Sequence, residues 1–142
     1  MSGISIELDV KDILKDFKNF TPDVQKNVKD ELRLSGLDIE SAYKIAVPVD
    51  TGRLRSSIHN ETKDFQNFVY TDSTGQKFNG GFSLKAQNEL EVLIGTNVEY
   101  SEIIEQQGGK NQVGQNALQQ AFEQVSEKLP ERLGKIIEDK LR

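Results

Sequence analysis

The stretch from Thr21 to Pro48 constrains the fold of this chain more than any other. Thr21 offers a side-chain oxygen to the amides of a first helical turn. Pro22 then stands at the first helical position, where its fixed φ fits and its missing N–H is not needed. Val24, Val28, Leu32, Ile39, Tyr43 and Ala46 recur at helical spacing. Pro48 excludes Val47 from the α region, so the helix has to stop near Ala46. The spacing therefore predicts a helix over 22–46. Gly36 lies inside it, at a cost of about 1 kcal/mol relative to Ala. A helix this long with one apolar face needs a second layer to cover that face.

The rest of the chain supplies the layer. Ile4, Ile6 and Leu8 alternate with polar residues, which predicts a strand over 4–8. Val10, Ile13, Leu14 and Phe17 then share a helical face, with Asp9 as cap, and predict a short helix over 10–18. Residues 53–57 suit one helical turn. From 58 to 71 the chain is strand-like, with Phe65, Phe68, Val69 and Tyr70 among polar residues. Phe82, Leu84 and Ala86 alternate, as do Leu90, Val92 and Ile94. These predict strands over 81–86 and 89–95, joined by a turn at Gln87-Asn88. Asn97 is placed to cap a helix over 98–106. Leu118, Phe122, Val125, Leu129, Leu133, Ile136 and Ile137 define an amphipathic helix over 116–141, kinked or broken near Pro130. Strands and helices are segregated, so the expected class is α+β. Residues 1–142 form one domain, with a small antiparallel sheet of about four strands packed against two long helices plus short helices. The tip at 71–81 and the loop at 107–115 are rich in Gly and polar residues. They are expected to stay mobile until a partner orders them.

Composition narrows the chemistry. There is no Cys, which excludes disulfides, thiolate zinc sites and cysteine nucleophiles. The one His, His59, excludes any site that needs two imidazoles. The net charge of −5 argues against a protein whose main task is to grip DNA phosphates, while allowing one that lines a DNA path. No apolar run approaches the roughly 20 residues of a membrane span, and the Met1-Ser2-Gly3 start lacks a basic and an apolar leader region, so neither a membrane role nor secretion is expected. His59 beside Asn60-Glu61 lacks a second positioned group for catalysis and reads as an exposed or satisfied strand histidine. Glu99, Glu102 and Glu105 share one helix side without converging on a point, so they read as a solvated face. Gly108-Gly109-Lys110 lacks the remaining phosphate-loop spacing, and Ser56 and Ser57 lack a nucleophile-elbow context. Arg53, Arg55 and Lys63 form a modest basic patch suited to salt bridges. No catalytic residue, cofactor or metal ligand is assigned. The enzymatic alternative is a small hydrolase or nuclease using His59 with Glu61 or Asp64.

One segment concentrates backbone devices at a helix-to-strand corner: Val47-Pro48-Val49-Asp50-Thr51-Gly52-Arg53-Leu54-Arg55-Ser56-Ser57-Ile58. Pro48 ends the helix, and Asp50 or Thr51 can accept hydrogen bonds from the amides that follow. Gly52 permits a backbone angle that other residues resist. Leu54 and Ile58 can plug the corner into the core. A purely structural corner and a functional one both fit. Arg53 and Arg55 are its candidates for an outward, interface role.

This corner resembles the signature of a phage family, the gene-product-ten-like neck, or head–tail joining (tail completion), proteins of long-tailed bacteriophages. Members carry a Pro, an Asp-Thr-Gly, a Leu, a basic residue and a Ser-Ile after a long helix. A second stretch is similar to this chain's Gly95-Thr96-Asn97-Val98-Glu99-Tyr100-Ser101-Glu102-Ile103-Ile104-Glu105-Gln106-Gln107-Gly108. A third is similar to Asn116-Ala117-Leu118-Gln119-Gln120-Ala121-Phe122. The chain departs from the family pattern at Ser101, at the extra residue before Gly108 and at Asn116, which bears on the 106–116 loop. The resemblance spans about residues 22–125. It implies a non-enzymatic structural protein of the virion neck, made in the host bacterial cytoplasm. It implies a homo-oligomeric ring around the DNA path that contacts neighbouring neck and tail proteins, with DNA passing nearby unread. It adds Tyr100 and Glu105 to the interface candidates. A tail terminator capping the tail tube on a related fold is the alternative.

Overall fold

Thr21 caps the long helix: its Oγ1 accepts from the Val24 amide at 3.3 Å, and α1 runs Pro22–Ala46. The helix ends where Pro48 requires, with Val47 extended at φ −81° and ψ 154°. The computed structural model describes residues 3–10, 14–48 and 52–141. α1 buries Val24, Val28, Leu32, Ser35, Gly36, Ile39 and Tyr43 along one face.

That face lies on a three-stranded antiparallel sheet of β1 (Ile4–Asp9), β2 (His59–Glu61) and β5 (Glu91–Thr96), in the order β1-β5-β2. The register pairs Ile6 with Ile94, Glu7 with Leu93 and Glu61 with Leu93. The central strand β5 is buried at every position because both its faces are covered. Val92 and Ile94 join the main core with Leu32 and Ile39, while Leu93 packs on the opposite face against Phe82 and Ala86. A second, two-stranded sheet pairs β3 (Val69–Thr71) with β4 (Lys77–Asn79), Tyr70 opposite Phe78. Four helices follow α1: α2 (Arg53–Ser57), α3 (Ser101–Gln107), α4 (Ala117–Ser126) and α5 (Leu129–Leu141). α4 and α5 line the other flank of α1, contributing Leu118, Ala121, Leu129 and Leu133 to its core. Arg132 on α5 reaches Glu31 and Asp38 of α1 at 3.5 and 3.7 Å.

The α+β class and the long helices agree with the sequence reading; several boundaries do not. The strand at the start extends to Asp9, which pairs with Glu91 and so is not a helix cap. In place of a helix over 10–18 there is a single 3-10 turn at Phe17–Asn19, with residues 11–13 outside the described ones. Burying Val10, Leu14 and Phe17 needs only that compact turn. The 58–71 stretch splits into β2 and β3.

Residues 81–86 form no strand. Phe82 and Ala86 turn inward over Leu93 while Leu84 is 70% exposed, so the alternation is real. The backbone there bonds to side chains instead: the Phe82 amide donates to Glu61 Oε2 at 2.9 Å, and the Ala86 carbonyl accepts from Gln66 Nε2 at 3.0 Å. The Gln87-Asn88 turn thus joins no strand pair, and β5 begins two residues late. The Gln87 amide donates to the Glu91 carboxylate and the Leu90 amide to Asn88 Oδ1.

Asn97 caps nothing. Its side-chain amide donates to the carbonyl of Asn79 at 2.7 Å, and α3 starts four residues later. The C-terminal helix is broken between Ser126 and Leu129, with Pro130 in the first turn of α5, where its lack of an N–H is harmless. The 71–81 tip contains β4, and the 107–115 loop contains a 3-10 turn at Lys110–Gln112.

Candidate functional site

The corner after α1 is built around Gly52, which takes φ +76° and ψ −4° as the residue before α2. Nothing lies within 4 Å of where a Cβ would stand, so the glycine answers a backbone angle and not a lack of room. Leu54 and Ile58 are buried as the sequence suggested. Pro48 packs against the 108–114 loop so tightly that a Cβ added at Gly109 or Gly114 would meet its ring at 2.9 or 2.8 Å. Asp50 and Thr51, with Val49, lie outside the described residues. At the far end of α2, the Thr96 hydroxyl donates to Ser57 Oγ, whose own hydroxyl donates to the Leu54 carbonyl at 2.6 Å. Thr96 Oγ1 accepts in turn from the Val98 amide.

Arg53 projects from α2 into a fork with Glu99, its Nη1 and Nη2 donating to the two carboxylate oxygens at 2.7 and 2.8 Å. Its guanidinium lies 4.4 Å from the centre of the Phe78 ring and 5.9 Å from that of Tyr100. The hydrogen bonds with Glu99 raise the Arg53 pKa further, and those from Arg53 hold the Glu99 carboxyl below its usual range. On β4's side of this cluster, Asp72 closes the hairpin turn. It accepts from the Thr74 hydroxyl and from the Thr74 and Gln76 amides, which lower its pKa. Pro48, Arg53, Phe78, Tyr100 and Ile104 line an open groove of about 660 Å³.

The other two interface candidates sit elsewhere on the same supporting frame. Arg55 turns inward and donates through Nε to the Lys44 carbonyl at 2.8 Å, tying α2 to the last turn of α1. Glu105 reaches α4, whose own N-cap, Asn116, makes no side-chain cap. Its Oε1 and Oε2 accept from the amides of Leu118 and Gln119 at 3.0 and 3.1 Å. A carboxylate there meets two unsatisfied donors and the positive end of the helix dipole. Glu105's charge is also the second cause, after burial, of the raised pKa of Tyr43. Glu99, Glu102 and Glu105 therefore serve three different partners, Glu102 taking the Gln106 amide.

Sequence reasoning missed the partners of these groups. Glu99 was read as solvated surface and Phe78 as part of a loose tip. No local spacing in the sequence links Arg53 to Glu99, which stand 46 residues apart. His59 is buried. Its Nδ1 lies 2.7 Å from the Ser57 carbonyl and its Nε2 2.7 Å from Glu61 Oε2. The ring is stacked between Phe68 and Phe82. Another grouping absent from the sequence reading is Glu7, Asp9 and Glu91, whose carboxylates approach one another on the outer face of the sheet.

Comparison with protein-family models, with curated proteins and with solved structures returns no match. What the fold and the corner define is an α+β scaffold whose polar side chains tie distant segments of its own chain together. Beyond that class, the resemblance carried by three stretches of sequence is the remaining guide.

Proposed function

We propose that this chain is a structural protein of the neck of a long-tailed phage. In this reading it completes or joins the head–tail connection as a ring of identical subunits around the DNA path. The observation that supports it best is spatial. The three resembling stretches are separated in sequence but contiguous in the fold. The first meets the second through Arg53 and Glu99, and the second meets the third through Glu105 and the start of α4. A ring needs a heterologous interface, one patch on each subunit meeting a different patch on the next. The elements that build the corner present exposed apolar side chains for such contacts: Ile45 on α1, Val69 on β3 and Ile103 on α3. The −5 charge suits a wall past which DNA slides without counterion-releasing contacts. His59 and Glu61, a pair an enzymatic reading would use, are buried, and the imidazole is stacked between two phenylalanine rings.

The test is genetic and direct. A nonsense mutation in the gene, carried in the phage genome that encodes it, is expected to yield filled heads and separate tails that fail to join. Supplying the protein in trans restores joined particles. Joined, infectious particles that lack the protein would overturn the proposal. Label found on the ends of free tails and never on heads would replace it with a tail terminator.

A further inference from the structure

The sheet ends at β2, and that edge is open. The Val10 amide donates to the Leu90 carbonyl at 3.3 Å, which makes Leu90, Val92 and Ile94 the residues of β5 that bond toward β1. Leu93 and Gly95 then bond toward β2, where they face Glu61 and His59. Asn60, between those two, turns its backbone N–H and C=O away from the sheet. At the next outward position Thr62 and Phe65 exchange bonds at 3.0 and 3.2 Å, as a hairpin would begin. The chain then leaves the edge, and Phe68 stacks on His59. Among the described residues, nothing pairs with the outward backbone groups of Asn60. They border a groove of about 610 Å³ between α1 and the 62–68 turn, where Leu37 and Phe65 stay 41% and 47% exposed.

The groove also carries charge that this chain leaves unneutralised. Lys29 pairs with Glu89, Lys44 with Glu40, and Asp30 with Lys26. Glu91 is buried and accepts from Gln87 and Asn88. Among the described residues, the exposed Arg33, Lys63 and Asp64 have no ion pair, a surplus of one positive charge on a chain of net charge −5. The complement stands along β1, the other edge of the sheet. Leu84, 70% exposed, and Glu102 border one hollow of about 300 Å³ beside Ile4 and Ser5. Glu102 accepts from the neutral Gln106 amide at 3.4 Å, and the nearby Lys85 is turned toward Glu61 at 3.6 Å. The bend at Ser83-Leu84 and the following Lys85 have backbone N–H and C=O groups with no partner among the described residues.

We propose that a second copy of this chain fills the groove: Leu84 of one subunit seats on Leu37 and Phe65 of the next, with Glu102 facing Arg33 and Lys63. The backbone of the bend then meets the outward N–H and C=O of Asn60, as an added strand meets the edge of a sheet. An apolar centre with charges at its rim is the usual build of a protein–protein contact. The contact also gives a use to the alternation over 81–86, which pairs with no strand in its own chain. Its two halves lie at opposite edges of one sheet, β1 and β2. Each subunit offers one half and receives the other, the heterologous arrangement from which rings close. As the joint between subunits of the neck ring, the contact rests on the proposed function.

The chain has no cysteine, so introduced ones report without interference. Leu37→Cys and Leu84→Cys both alter exposed side chains, which keeps the fold intact. The two full-length variants, mixed at high concentration and oxidised with copper phenanthroline, are expected to give a disulfide-linked pair holding one of each. Either variant alone is expected to stay a single chain. Glu102→Lys in the Leu84→Cys protein is expected to weaken association about tenfold by sedimentation, and Arg33→Glu in its Leu37→Cys partner to restore it. No linked pair in the mixture, equal linking within either variant alone, or a Glu102→Lys defect that Arg33→Glu leaves in place would each overturn the inference. So would Leu37→Cys linking, in assembled particles, to a protein other than this chain. The nonsense-mutant particles judge the neck reading separately. A linked pair in a protein that joined particles do not need keeps the contact and removes the neck role. Joining that depends on the gene, with no linked pair, does the reverse.

Discussion

At the scale of single residues, Gly36 shows how a local cost marks a long-range requirement. In an isolated helix, alanine there would be better by about 1 kcal/mol. In the folded chain, a Cβ would press on Asn60 Oδ1 and would stand 3.0 Å from Val92 Cγ1. Asn60 has little room to yield, because its Nδ2 donates to the Gly36 carbonyl at 3.1 Å and to Glu40 Oε1 at 2.8 Å. Glycine is what lets α1 lie close enough to β2 and β5 for that bridge to form. Overpacking of this kind costs about 1–3 kcal/mol, which outweighs the gain in helix propensity. Gly36→Ala is therefore expected to lower the stability measured by urea unfolding by roughly 1–2 kcal/mol, the reverse of what helix propensity alone predicts. Equal or greater stability would mean that the helix and sheet can separate without loss.

At the scale of elements, Glu105 shows the same dependence on distant partners. α4 begins without a cap of its own, since Asn116 takes φ +56° and offers no side-chain bond. The cap comes from α3, as a carboxylate that meets two amides. Loss of a helix cap costs about 1–2 kcal/mol, and the charge at the helix end adds up to roughly 1 more. Glu105→Ala is expected to destabilise the protein by about 2 kcal/mol in denaturant titration, with Glu105→Gln in between. These cases explain what was legible in the sequence. α1 was readable to the residue because its start and stop, Thr21-Pro22 and Pro48, act through covalent geometry and a bond three residues long. Burial was readable too: Phe82 and Ala86 go inward and Leu84 outward. Strand pairing over 81–86 was not, since alternation reports which side is covered and says nothing about where the amides find acceptors. Here they find Glu61 and Asn79 side chains. Asn97 likewise had the right chemistry for a cap, and the fold spends it on the Asn79 carbonyl. At the corner, the positions of Gly52, Leu54 and Ile58 were foreseen from local rules. The Arg53–Glu99 fork, 46 residues apart, was not.

At the scale of the whole molecule, that fork is where the proposed neck role can be tested apart from folding. Arg53 and Glu99 join α2 to the start of the second resembling stretch, beside a groove bordered by Phe78 and Tyr100. Both side chains keep contact with solvent, at 24% and 57% exposure, so screening limits what the pair adds to stability. Exposed pairs contribute about 0.2–1 kcal/mol, and bidentate geometry places this one toward the upper end. Arg53→Glu sets a carboxylate against Glu99 and withdraws the cation from Phe78, with water free to solvate both acids. The expected loss of stability is about 1 kcal/mol, a few degrees in melting temperature for a chain of this length. An interface is less forgiving. If the corner docks on a neighbouring subunit, the substitution reverses a charge at a surface that has to match its partner, where like charges cost several kcal/mol. Arg53→Glu is therefore expected to leave a folded, slightly less stable protein that no longer supports joined particles when supplied in trans. Circular dichroism and a count of joined particles measure the two effects independently. Normal particle yield from a folded Arg53→Glu protein would count against the corner as the docking surface of the proposed ring and would move the search for the interface to another surface.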